Sequence, residues 1–170
     1  IAKTLDNFTC MVNGSISDVD RRKFTNVLST AGSDYRTNLY NNGFSGDKTN
    51  LSTEDINSFL NNCLKHIDHS IKINERKDHL FHAYNLIKFD ENGGISIRHL
   101  YEMLEGQVSV LSSGYLSPKK SVVLLKALRN SSLYRADQQS YILYPNRHLP
   151  HFYEKNIIPT ALVNESKVIS

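Results

Sequence analysis

The chain has 170 residues, 39% of them hydrophobic, and a formal net charge of +3. That is long enough for a core, too apolar for disorder to be the default, and too weakly charged for a nucleic-acid stripe. No apolar run approaches the roughly 20 residues of a bilayer span, and no signal peptide is visible, so neither nucleic acid nor membrane is an expected partner.

In chain order, residues 1–14 show no clear period, and Phe8, Met11 and Val12 suit a short strand or a packed arm. Together with 160–170 they are expected as loosely packed ends of a single helical domain covering 1–170. Ser17 is placed as an N-cap, with Asp18 and Asp20 in the first turn, where the helix dipole favours them. Val19, Phe24, Val27 and Leu28 keep a helical spacing up to Gly32, and a shorter helix is expected from Asp34 to Asn41. Gly43, Ser45, Gly46 and Asp47 predict a loop.

Ser52, with Asp55 three residues on, marks the start of the clearest helix. Ile56, Phe59, Leu60, Cys63, Leu64, Ile67 and Ile71 follow at i, i+3, i+4 spacing, the pattern of one buried stripe. Glu75 to Asp78 reads as a solvated turn. Leu80 to Phe89 suits a strand, and after Asp90-Glu91-Asn92-Gly93-Gly94 the residues Ile95 and Ile97 alternate with polar ones. Asn92-Gly93 supplies positive φ for a tight turn, so a β-hairpin is predicted. The register excludes a calcium loop: counted from Asp90, the glycine position holds Ile95 and the glutamate position holds Tyr101.

A helix from Arg98 to Leu111 would bury Leu100, Leu104, Val108 and Leu111. Gly106 inside it predicts a close helix crossing or, in a functional reading, room for a ligand. Ser117-Pro118 gives the next helix a cap and an N1 proline; Val122, Val123, Leu125, Ala127 and Leu128 bury it, and Asn130 ends it. From Tyr134 to Pro159 the chain is irregular and tyrosine-rich, with one short helix near His151 to Lys155. The stripes predict one core holding Leu60, Leu64, Ile67, Leu100, Leu104, Leu111, Leu125 and Leu128. The expected fold class is mainly α with one β-hairpin.

The groups able to do chemistry are few. Cys10 and Cys63 lie in no CxxC pattern, which favours reduced thiols and a cytoplasmic setting. The histidines fall in three pairs, His66/His69, His79/His82 and His148/His151. The first is expected on the polar side of a surface helix, the second in a strand whose i and i+3 side chains diverge, and the third brackets Pro150. No metal site and no cofactor is expected. A glycosidase-type pair needs two carboxylates across a scissile bond. Glu102 and Glu105 would share one helix, so Asp137 is the better partner for one of them. Glu105 and Asp137 are therefore the candidate catalytic residues, against a reading in which they are ordinary surface groups. Tyr141, Arg147 and Gln138 combine aromatic faces with planar polar groups that suit a sugar ring, and they are the candidate substrate-binding residues. They equally suit a loop packed on helices, and the chain has no Trp.

Two segments, HLFHAYNLIKFDENGGISIRHLYEMLEGQVSVLSSGYLS and SLYRADQQSYILYPNRHLPHFYEKNIIP, resemble a stretch of large bacterial proteins described as cellobiose-phosphorylase-like. The resemblance runs from about Leu51 to Pro159. It implies an α/α toroid acting on glycosides, of which this chain would be a partial, toroid-like fragment. The start at Ile1 rather than Met reads the same way. No catalytic motif of that family maps onto a numbered residue here.

Two readings follow. In the first, the chain is part of a glycoside phosphorylase or hydrolase, inactive alone, with a carbohydrate ligand. In the second it is a non-catalytic helical module for binding or interdomain packing. Helix faces cut off from their neighbours would pair in a homodimer or against the remainder of the parent protein, with Tyr134 to Tyr153 as the expected contact.

Overall fold

A computed structural model describes residues 1–165. The protein is mainly α-helical. Its N-terminal half is α1 (Ala2–Asn7), a 3-10 turn (Thr9–Asn13), α2 (Asp18–Asn42) and α3 (Thr53–Ile73). A hairpin of β1 (Leu86–Phe89) and β2 (Ile95–Arg98) follows, then α4 (Leu104–Ser112) and α5 (Pro118–Arg129). Next come a second, very short antiparallel pair, β3 (Tyr134–Arg135) and β4 (Ser140–Tyr141), and the short helices α6 (Phe152–Lys155) and α7 (Thr160–Glu165). Among the described residues no helix is long and apolar enough to cross a membrane.

The helix starts follow their caps. The Ser17, Ser52 and Ser117 hydroxyls accept from the backbone N–H of Asp20, Asp55 and Lys120, each satisfying a donor that the first turn leaves free. The two helices expected on either side of Gly32 are one. A helix interior tolerates a glycine at about 1 kcal/mol, and α2 continues to Gly43, whose φ of 67° ends it.

The β1–β2 hairpin pairs Leu86 with Arg98 and Phe89 with Ile95. Its turn is wider than a two-residue Asn-Gly turn. Gly93 N–H donates to Asp90 O at 3.0 Å, and Asp90 N–H donates to Gly94 O at 3.1 Å. Gly93 alone in the loop has positive φ, 77°. This is a three-residue loop closed by a left-handed glycine. The hairpin rests on the start of α2: Arg21 donates to the carbonyl of Ile95, and a Cβ at Gly94 would lie 3.0 Å from the Cβ of Asp18.

Three expectations are corrected. The strand foreseen from Leu80 begins at Leu86. His79 just before Leu80 and Tyr84 shortly before Leu86 adopt positive φ, and one bridge joins Glu75 to Phe81. Arg98 closes β2, so the helix expected from Arg98 starts six residues later, at Leu104. The core also differs in membership. Leu80, Phe81, Val110, Leu124, Leu128 and Leu133 form it, with Ile71, Leu104 and Leu111 packed at its edge. Of the eight leucines and isoleucines expected in one core, Leu60, Leu64, Ile67 and Leu125 are exposed. On α5 the buried face runs through Leu124 and Leu128, one turn apart, and this turns Val122, Val123 and Leu125 to solvent.

Gln107 ties α4 to the stretch between α3 and β1. It is fully buried on α4. Its Oε1 accepts from Phe81 N–H at 2.8 Å, and its Nε2 donates to Phe81 O and to Met103 O, each at 2.9 Å. The amide thus takes the place of a strand partner for Phe81. Beside it, a Cβ on Gly106 would lie 2.7 Å from the Cβ of Ala83. Gly106 therefore serves a close approach, but to an extended segment and not to another helix.

In the segment 1–14, α1 and the 3-10 turn lie against α3. Thr4 and Leu5 are buried, Asn62 donates to Asp6, and His66 Nε2 sits 3.1 Å from Leu5 O. At the other end Thr160–Glu165 is helical and largely exposed; the rest of the segment read as a loose end, 166–170, lies outside the described residues.

Candidate functional site

The candidate catalytic carboxylates sit in different surroundings. Asp137 occupies the turn between β3 and β4, where Arg135 donates to both of its oxygens at 2.8 and 2.6 Å. Those bonds hold the carboxyl below its usual range, so it is ionised and a weak base, suited neither to give a proton nor to take one up. Glu105 stands in the first turn of α4. Its carboxylate neighbours the Tyr84 phenol and raises the phenol's pKa. Among the described residues no hydrogen bond or ion pair joins Glu105 to Asp137.

The tyrosine-rich segment forms two aromatic–cation stacks. In one, Tyr141 lies 5.3 Å from Tyr134, whose ring is covered by Arg129 at 3.8 Å. In the other, Arg147 lies 4.8 Å from the ring of Tyr101, which meets Tyr144 edge-on at 6.3 Å. Tyr141 and Arg147 thus belong to separate stacks. Gln138 follows Asp137 in the β3–β4 turn, where its N–H donates to the carbonyl of Arg135.

A polar cleft of about 550 Å³ opens beside the hairpin, lined by Arg76, Lys77, Asp78, His82 and His99. Arg76 donates to both Asp78 oxygens at 2.8–3.2 Å and lies 3.4 Å from Glu102. Glu102 in turn accepts from the Ser132 hydroxyl at 2.6 Å. Burial pushes the Glu102 carboxyl up, but the Ser132 bond and Arg76 outweigh it and hold it low. Glu102 therefore does not share a helix with Glu105; it ties the 75–82 turn to the end of α5. His82 and His99 stack at 3.9 Å between centroids. Burial, then the neighbouring His99 and Arg76, push the His82 imidazole below its ordinary pKa. The cleft thus offers a neutral imidazole and carboxylates already engaged by Arg76, with no acid and nucleophile facing each other.

The expected exposure of His66 and His69 is also reversed. His69 is buried, and half-buried His66 stacks on Phe24 at 5.6 Å. This reversal exposes the most unusual feature of the molecule. α3 is amphipathic, yet the residues it buries are Asn62 and His69. Asn62 and His69 lie opposite the apolar stripe, and α1 and the 3-10 turn cover that polar side. The stripe itself faces out: Leu60, Leu64 and Ile67 are 50%, 54% and 53% exposed, and Ile56 and Phe59 are exposed as well. Its C-terminal end runs into a largely apolar groove of about 480 Å³, lined by Phe24, Leu28, Cys63, Ile67, Ile71 and Val110 among others. Stripe and groove make one continuous apolar surface.

Sequence reasoning found the stripe and missed its direction, because periodicity defines a face and not what covers it. It missed the His82–His99 stack because the two histidines are seventeen positions apart. Gln107 gave no signal beyond being a polar residue within an apolar helix pattern. Among the described residues no group of three or more His, Cys, Asp and Glu side chains is placed to hold a metal. No family model matches this chain, and no curated protein matches it.

Proposed function

We propose that this chain is a non-catalytic helical association module that works through the apolar face of α3. One observation carries the reading: α3 turns its polar side to the rest of the chain and its apolar side to solvent. Burial of apolar area contributes about 25 cal/mol per Å², so a helix that leaves such a stripe uncovered forgoes several kcal/mol. Contiguous apolar surface of this kind marks contact sites in soluble proteins. The engaged states of Asp137 and Glu102 support the absence of a catalytic centre. The two free cysteines, Cys10 and Cys63, accord with the reducing cytoplasm as its setting.

The test is the double substitution Leu60→Glu and Leu64→Glu, studied in dilute solution. The expected result is an unchanged thermal midpoint together with loss of binding of an apolar fluorescent dye. Unfolding of the double variant under these conditions would refute the association face.

A second reading keeps the carbohydrate assignment. The resemblance to cellobiose-phosphorylase-like proteins implies one piece of a toroidal enzyme, and the exposed rings of Tyr141 and Tyr144, next to the cation-covered Tyr134 and Tyr101, support a sugar contact. On this reading too the isolated chain turns over no β-glucoside. Turnover that disappears in Glu105→Gln or Asp137→Asn would assign the site and displace the first reading.

A further inference from the structure

We infer that the occupant of the α3 face is a second copy of this chain, with the two α3 helices antiparallel about a two-fold axis between Asn61 and Asn62. The inference rests on the association face proposed above and names its partner.

The stripe is self-complementary in one direction. Ile56, Phe59, Leu60, Cys63, Leu64 and Ile67 are spaced three, one, three, one, three, and this order reads the same from either end. An antiparallel copy centred on the stripe therefore sets Ile56 against the second copy's Ile67. It likewise sets Phe59 against Leu64, and Leu60 against Cys63. Each large side chain meets an apolar one, the layered arrangement that knobs-into-holes packing requires. A two-fold axis makes such an interface isologous, so one patch covers both copies and the assembly closes.

Charge does not oppose the pairing. From Ile56 to Leu64 the helix carries no ionisable side chain except the Cys63 thiol, so the centre of the pair brings no like charges together. The stripe spans three turns, about 17 Å at 1.5 Å per residue. The adjoining groove lengthens the apolar contact beyond the helix itself. The polar backs of the helices, Asn62 and His69, are already covered by α1 and the 3-10 turn, so pairing does not disturb them.

The experiment is light scattering across a wide concentration range, followed by thiol cross-linking of the full chain. The expected mass is that of two chains at high concentration. Leu60→Glu should give one chain at every concentration, with unchanged helical circular dichroism. For the direction, Cys10→Ser with Leu60→Cys should cross-link under a mild thiol oxidant, because position 60 faces position 63 of the other copy. Adding Cys63→Ser should weaken the cross-link strongly, since positions 60 and 60 are then offset along the axis by roughly 4.5 Å on top of the gap between the helices, which takes their Cα atoms outside the roughly 4.4–6.8 Å usual for a disulfide. A parallel pair sets position 60 against position 60, so its cross-link persists unchanged when Cys63→Ser is added, and that result overturns the inference. A single-chain mass at all concentrations, with dye still bound to the wild-type stripe, also overturns it, while the association face stands.

Discussion

At the scale of single residues, Gln107 has the largest leverage. Its amide serves both backbone groups of Phe81 inside the core. Leucine would fill the same space and leave that N–H and C=O buried without partners. An unsatisfied buried group costs about 1–3 kcal/mol, so Gln107→Leu is expected to lower stability by at least that amount in denaturant unfolding; an unchanged midpoint would contradict the contact. His82 makes a pH prediction. Its folded pKa lies below the ordinary value of 6.5. Above 6.5 the imidazole is neutral in both states and favours neither. As pH falls below 6.5 the unfolded chain takes up the proton and the folded chain resists it, so stability declines until the folded pKa is reached. His82→Phe, which keeps a ring against His99, should flatten the decline in this window. Asp78 and Glu102 are held low by hydrogen bonds and by Arg76, so the stability they contribute is lost only as pH falls through and below the ordinary carboxylate range.

At the scale of elements, local chemistry was legible wherever one residue type decides the outcome. The three serine caps, the proline at N1 of α5 and the glycine turn of the hairpin lie where the sequence puts them. Boundaries were not legible where a distant partner decides. Arg98 belongs to β2 because its neighbours pair with β1. Phe81 leaves the strand because Gln107, far along the chain, supplies its hydrogen bonds, while Leu80 is held by Asp78 and Arg76. The second pair of strands, Tyr134–Arg135 with Ser140–Tyr141, is too short for alternation to reveal. The irregular segment from Tyr134 is held by packing of another kind, with Arg129 and Arg147 over tyrosine rings. Such contacts are worth about 0.5–1 kcal/mol each when exposed.

At the scale of the whole molecule, the stripe was legible and its use was not. Seven apolar positions from Ile56 to Ile71 predict a buried face, and within this chain most of that face is open while Asn62 and His69 are covered. No property of the helix alone decides between those outcomes; only the elements packed around it do. The candidate site residues met a similar limit, since Asp137 and Arg135 are two positions apart yet their pairing depends on the β3–β4 turn. The most direct measurement compares Leu64→Ala with Leu124→Ala by denaturant unfolding at concentrations low enough to keep the chain monomeric. Leu124 is 1% exposed and lies in the core, so its truncation should cost about 2–5 kcal/mol. Leu64 on the open face should cost less than about 0.5 kcal/mol. Equal losses at the two positions would show that the α3 stripe is buried within the chain and would contradict the account.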